Sequence, residues 1–98
     1  LVISGKEGRV YRGGRDLNLT KREFELLYFL ASQPGETFER REILEAVWGP
    51  DTENTIKVVA NTVSDLRGKL EPERKKPVYI RTVPGGYSFQ SFQMNPLK

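Results

Sequence analysis

The 98-residue chain contains no cysteine and no histidine. Without thiols no disulfide can staple a small secreted scaffold, and a reducing, cytoplasmic setting is expected. Zinc sites built from Cys or His are excluded, as is catalysis by imidazole or thiolate. Long apolar runs are missing too. The longest, Leu26-Leu27-Tyr28-Phe29-Leu30-Ala31, falls far short of the ~20 residues of a membrane span, so no membrane is expected for this segment. There is no internal repeat and no low-complexity tract. Asp16 and Glu23 bracket a turn-to-helix junction, but nothing pairs with them, and no enzyme, metal or cofactor is expected. Position 1 is Leu rather than Met and no signal-peptide pattern follows, so the chain reads as a piece of something longer.

Enough remains for one domain. Hydrophobic residues make up 37% and aromatic residues 10%, sufficient for a core. The net charge of +3 permits a polyanionic partner without requiring one. Its distribution says more. Residues 1–33 carry Lys6, Arg9, Arg12, Arg15, Lys21 and Arg22 against Glu7, Asp16, Glu23 and Glu25, a balance of +2. Residues 34–54 carry Arg40 and Arg41 against Glu36, Glu39, Glu42, Glu45, Asp51 and Glu53, or −4. Residues 55–98 set eight basic side chains against Asp65, Glu71 and Glu73, or +5. An acidic middle and a basic C-terminal half suggest two surfaces with different partners.

Turn residues punctuate the N-terminal part. Leu1-Val2-Ile3, Arg9-Val10-Tyr11-Arg12 and Leu17-Asn18-Leu19 are β-prone runs separated by residues 4–8 and by Gly13-Gly14-Arg15-Asp16, which predicts an antiparallel meander. Thr20-Lys21-Arg22-Glu23 is a capping box. Behind it Phe24, Leu27, Tyr28 and Ala31, widened by Leu30, predict a core-facing helix that ends near Gln33, before Pro34-Gly35. After an extended link at Thr37-Phe38, a second helix is expected over 40–48, with Ile43, Leu44, Val47 and Trp48 on one side and Gly49-Pro50 as its stop. Glu39 is a poor residue for its N-cap. A third helix, capped by Asn54 or Thr55, carries Ile56, Val59, Val63, Leu66 and Leu70 within about 80° of arc and ends before Pro72. Gly68 inside it should cost about 1 kcal/mol relative to Ala. After the basic loop Arg74-Lys75-Lys76, the alternation over 78–83 and the return over 87–89 predict a hairpin around Pro84-Gly85-Gly86. The domain is expected to occupy 1–92, with 93–98 as a flexible tail.

The order sheet, three helices, hairpin is the α+β logic of a winged helix-turn-helix, with the third helix directed to a major groove. Leu19-Thr20, Glu23-Phe24-Glu25-Leu26-Leu27, Pro34-Gly35, Phe38, Arg41-Glu42, Leu44 and Val47-Trp48-Gly49 follow one another in the order found in the effector domains of OmpR/PhoB-family response regulators. Leu66-Arg67-Gly68-Lys69-Leu70 and Tyr79-Ile80-Arg81-Thr82-Val83-Pro84-Gly85-Gly86-Tyr87 continue that order. The chain resembles that family from about Ile3 to Phe89.

The resemblance implies an N-terminal antiparallel sheet, a three-helix core and a C-terminal wing. It implies sequence-specific binding to double-stranded promoter DNA as the output domain of a bacterial transcriptional regulator, and a homodimer on repeat sites. On it, Lys57, Val58, Asn61, Thr62, Ser64, Asp65, Arg67 and Lys69 belong to the recognition helix over 55–70. Arg74, Lys75, Arg81 and Thr82 belong to the loop and the wing over 78–90, and Trp48 lies near the backbone. Pro50, Asp51, Thr52 and Glu53 match a loop that faces RNA polymerase. The sequence also departs from the family. Ser64 and Asp65 stand where Arg is common, and Lys57 where a phosphate-binding Arg is common. The wing is one residue shorter, with Pro84 near a usual Arg. Asn suits adenine, whereas neither Ser nor Asp can pair bidentately with guanine. These departures motivate an alternative: a winged-helix protein-interaction module with weakened base readout.

Overall fold

The computed structural model describes residues 1–90; the expected tail over 93–98 lies outside them. Strands β1 (Val2–Ser4), β2 (Arg9–Arg12) and β3 (Arg15–Asp16) form one antiparallel sheet. Helix α1 (Lys21–Ala31), strand β4 (Thr37–Glu39), helices α2 (Arg40–Trp48) and α3 (Lys57–Leu70), and strands β5 (Ile80–Val83) and β6 (Gly86–Phe89) follow. The second sheet has the order β4-β6-β5. One core joins Leu26, Leu27, Leu30, Ile43, Leu44, Val59, Val63, Leu66 and Leu70 of the helices with Val10, Ile80, Tyr87 and Phe89 of the strands.

The meander forms with its third strand two residues early. Arg12 pairs with Arg15, so Gly13 and Gly14, at φ +60° and +79°, make a two-residue turn of the kind that needs positive φ at both positions. The predicted run Leu17-Asn18-Leu19 is therefore not a strand. The Asp16 carboxylate accepts the Asn18 N–H at 2.9 Å, and Asn18 takes φ +56°, which ends the ladder.

The capping box of α1 is made in both directions. Thr20 Oγ1 accepts the Glu23 N–H at 3.2 Å, and Glu23 Oε1 accepts the Thr20 N–H at 2.9 Å. The buried stripe, however, is Glu23, Leu26, Leu27 and Leu30. The stripe predicted from Phe24 is turned by one residue, and Tyr28 is 49% exposed, stacked on Phe24. A glutamate does not look like the start of an apolar stripe; here the cap and an ion pair to Lys69 Nζ at 2.7 Å make its burial tolerable. Burial pushes the Glu23 carboxyl up, but Lys69 and the Thr20 N–H outweigh it and hold the carboxyl below its usual range. A carboxyl so depressed stabilises the fold fully above the unfolded value of about 4.3, and this stabilisation is lost as pH falls through the lower folded value. Glu23→Gln keeps a capping side chain and removes the charge. Urea midpoints of wild type and variant should accordingly differ most near neutral pH and converge in acid; a constant gap from pH ~3 to ~7 would refute the ion pair's contribution.

Helix α2 has the predicted bounds, and the Glu42 carboxylate accepts the Glu39 N–H at 2.8 Å in place of a conventional N-cap. Helix α3 starts later than expected, and neither Asn54 nor Thr55 caps it. Asn54 instead gives both its backbone N–H and its side-chain amide to Thr52 Oγ1, at 3.1 and 3.0 Å. That turn leaves Ile56 ahead of the first helical residue, 42% exposed and out of the core it was expected to join.

The extended link at Thr37-Phe38 is a strand. Phe38 pairs with Tyr87 and Glu39 with Gly86, so the hairpin belongs to a three-stranded sheet in which β6 is the central strand. Pro84-Gly85 makes its turn, with Gly85 at φ +92° as a type II turn requires. Gly86, also expected to be a turn glycine, is a strand residue. A Cβ there would stand 2.7 Å from the Phe38 carbonyl carbon and 3.0 Å from Glu39 Cα, closer than atoms pack. Strand β5 begins two residues later than predicted, because the N–H groups of Val78, Tyr79 and Ile80 turn to the Glu71 carboxylate at 2.8–3.2 Å. Glu71, the C-cap of α3, is buried.

Candidate nucleic-acid interface

Helix α3 is divided lengthwise. At ~100° per residue, Val59, Val63, Leu66 and Leu70 span one side, and Lys57, Asn61, Ser64, Asp65 and Gly68 lie diametrically opposite. The first set is buried and the second exposed. Val58, Thr62 and Lys69 lie on one flank, each half-buried, and Arg67 on the other. The outward stripe presents one ammonium, one carboxamide and one carboxylate, a mixed polar surface suited to a groove rather than to an apolar partner.

Arg67 fixes this helix to the hairpin. Its Nε and Nη2 donate to the Ile80 carbonyl oxygen at 3.2 and 2.8 Å, and Nη2 also donates to Thr82 Oγ1 at 2.9 Å. The guanidinium lies 5.6 Å from the Tyr87 ring centroid. Burial lowers its pKa, countered by Tyr87 and Glu71, which favour the charge. Arg40 reaches the same ring at 5.4 Å. Arg40 carries no signal of this place in the sequence, because only the β4–β6 pairing brings the start of α2 beside the hairpin. Register puts Thr82 on the same face of the second sheet as Tyr87 and Phe38, and Arg81 on the opposite face; Arg81 and Thr82 are both exposed.

The remaining expected site residues are divided. Arg74 and Lys75 are exposed in the loop after α3, and Arg74 Nη2 donates to the Ser64 carbonyl oxygen and hydroxyl. Lys69 turns away from the outward stripe, to Glu23 Oε1 and, at 3.3 Å, the Asn18 carbonyl oxygen. Arg12 adds a bond to the Leu70 carbonyl oxygen, so the end of α3 is tied to the first sheet. Trp48 packs half-buried against the core with the Arg22 guanidinium 5.6 Å from its ring, and Arg22 also donates to the Val47 carbonyl oxygen at 2.9 Å. Pro50, Asp51 and Glu53 are exposed in the loop between α2 and α3, and Thr52 is half-buried as the acceptor for Asn54. No group of His, Cys, Asp and Glu among the described residues could hold a metal, and none of their helices is long and apolar enough to cross a membrane.

A family model described as "Transcriptional regulatory protein, C terminal" matches residues 14–89. The alkaline phosphatase synthesis transcriptional regulatory protein PhoP of Bacillus subtilis is 41% identical over 80 residues, which cover 81% of this chain and 33% of PhoP. The chain thus spans about a third of that relative. The crystal structure of the DNA-binding domain of Bacillus subtilis CssR superposes with a TM-score of 0.78 at 34% identity, covering 91% of this chain and 98% of that one. The Klebsiella pneumoniae RstA DNA-binding domain in complex with the RstA box gives 0.79 at 29% identity, covering 90% and 88%.

Proposed function

Given that the chain belongs to the C-terminal domain family of transcriptional regulatory proteins, as a winged-helix DNA-binding domain of the OmpR/PhoB type, we propose that it reads promoter DNA with the outward stripe of α3 in the major groove and the β5–β6 hairpin beside it. The observation that carries this reading is the lengthwise division of α3, with its apolar side locked in the core and Lys57, Asn61 and Asp65 free beside a wing that Arg67 holds in place. Asn61 is placed for an adenine edge and Asp65 for cytosine N4. Lys57, Lys75 and Arg81 supply phosphate contacts, and Arg40 is a further candidate from its position at the wing. Val58, Thr62 and Trp48 flank the contact. Arg67 and Lys69, engaged inside the fold, serve by holding the helix.

The exposed, acidic segment around Pro50, Asp51, Thr52 and Glu53 supports a contact with RNA polymerase. Similarity to response regulators supports a role as the output part of a larger response regulator with a phosphorylatable domain; a homodimer on repeat sites and a cytoplasmic location belong to the same proposal. The domain over 1–92 is the proposed output unit.

Fluorescence anisotropy tests the reading. A duplex enriched by the chain from a random pool should bind at submicromolar Kd at moderate salt, with log K falling linearly against log salt. Asn61→Ala should lose about 1–3 kcal/mol on that duplex alone, while Lys57→Ala should weaken all duplexes and flatten the salt slope by about 1. Binding with neither salt dependence nor sequence preference would defeat the reading. If the chain instead co-purified with a protein partner that charge reversal at Glu42 and Glu45 released, the interaction-module alternative would take its place.

A further inference from the structure

The outward stripe of α3 has no guanidinium of its own, yet one lies on it. Arg74 folds back from the loop so that Nη2 donates to the Ser64 carbonyl oxygen at 2.7 Å and to its hydroxyl at 3.0 Å. The same group lies over Gly68: the point where a Cβ would stand is 3.5, 3.6 and 3.7 Å from Cζ, Nη2 and Nη1. Three nearly equal distances mean that the guanidinium plane faces the helix. Gly68 has an ordinary helical φ, so no turn requires glycine there. An alanine would touch the arginine at normal van der Waals distance, and any longer side chain would take its place.

We propose that Arg74, seated on α3 by Ser64 and Gly68, is a phosphate-binding residue that supplies the outward stripe of the recognition helix with the guanidinium that this stripe lacks; this rests on the DNA-binding reading above. The donors decide for phosphate over base. A guanine edge is read by a fork of Nε with Nη2 or of Nη1 with Nη2. With Nη2 turned to Ser64, neither fork is complete. Nη1 and Nε have no partner among the described residues and suit a phosphate oxygen. The positive charge also offsets Asp65, the neighbour of Ser64, which would otherwise repel the backbone. A side chain already held in place loses less rotamer freedom on binding than the free Lys75 beside it.

The test measures affinity and salt slope for two probes, a random-sequence duplex and the duplex that the wild-type chain enriches from a pool. Arg74→Ala is expected to weaken both by the same factor, roughly 3- to 10-fold, and to flatten the slope by about 0.9. Lys75→Ala should do less. Gly68→Gln, a better helix former, should raise the melting temperature, reproduce the affinity loss and add nothing further in the Arg74→Ala background. An unchanged slope in Arg74→Ala, a loss confined to the enriched duplex, or additive losses in the double variant would each overturn the proposal. If the wild type bound neither duplex, the DNA-binding reading would fail with it. Wild-type binding that Arg74→Ala leaves intact would remove only this inference.

Discussion

Gly86→Ala is expected to destabilise the domain by about 3 kcal/mol or more. Overpacking a core side chain typically costs about 1–3 kcal/mol, because neighbouring side chains find other rotamers. Here the obstacle is the backbone of β4 at Phe38 and Glu39, which has no rotamer to change. Either the β4–β6 ladder opens or the methyl group sits inside the van der Waals shell of a carbonyl. At roughly 4–8 °C per kcal/mol for a domain of this size, the melting temperature should fall by ~12 °C or more. Gly85→Ala provides the contrast, since its Cβ would meet nothing and only φ +92° is strained. It should cost about 1–2 kcal/mol. Equal melting temperatures for the two variants would show that the close approach of β4 and β6 carries no energetic weight.

Glu71→Ala should have a comparable effect, about 3 kcal/mol, for a different reason. The carboxylate of Glu71 is the acceptor for three successive N–H groups, those of Val78, Tyr79 and Ile80, two of them at buried residues. Truncation leaves these donors without a partner, at about 1–3 kcal/mol for each that stays dry. Glu71→Gln keeps one acceptor oxygen but aims an NH₂ group at the same donors, so it should recover less than half of the loss. Hydrogen exchange gives a local readout: the amides of Tyr79 and Ile80 should lose protection before those of α1 do. If Glu71→Ala lowered the urea midpoint no further than an exposed Glu36→Ala does, the anchor would be shown to be unimportant.

These two residues mark the limit of what the sequence discloses. The helices were legible because apolar periodicity and turn residues are local signals; α2 has the predicted bounds, and the core side of α3 holds except at Ile56. The errors arise where a distant partner changes a local preference. Glu23 is polar and lies in the buried stripe because Lys69, 46 residues later, neutralises it. Val78 and Tyr79 have strand-forming side chains, yet their N–H groups are taken by Glu71. Thr37-Phe38 is too short to signal a strand alone and becomes one beside β6. In the candidate interface, the exposed stripe of α3 followed from spacing, whereas the positions of Arg40, Arg67, Lys69 and Arg74 did not. Long side chains choose partners by what lies within reach, and reach depends on the completed fold.

The pairing of β4 with β6 also has a mechanical consequence. Glu39 ends β4 and Arg40 begins α2 without an intervening residue, while Arg67 clamps β5 to α3. A load applied at the hairpin tip therefore has no slack loop to absorb it and passes at once into two helices of the core. A duplex that engages α3 and the hairpin together meets a stiff two-pronged fixture of set spacing. The compliance needed to fit groove to protein must then come from the DNA, so sequences that bend or narrow easily between the two prongs should be favoured even where no side chain touches a base.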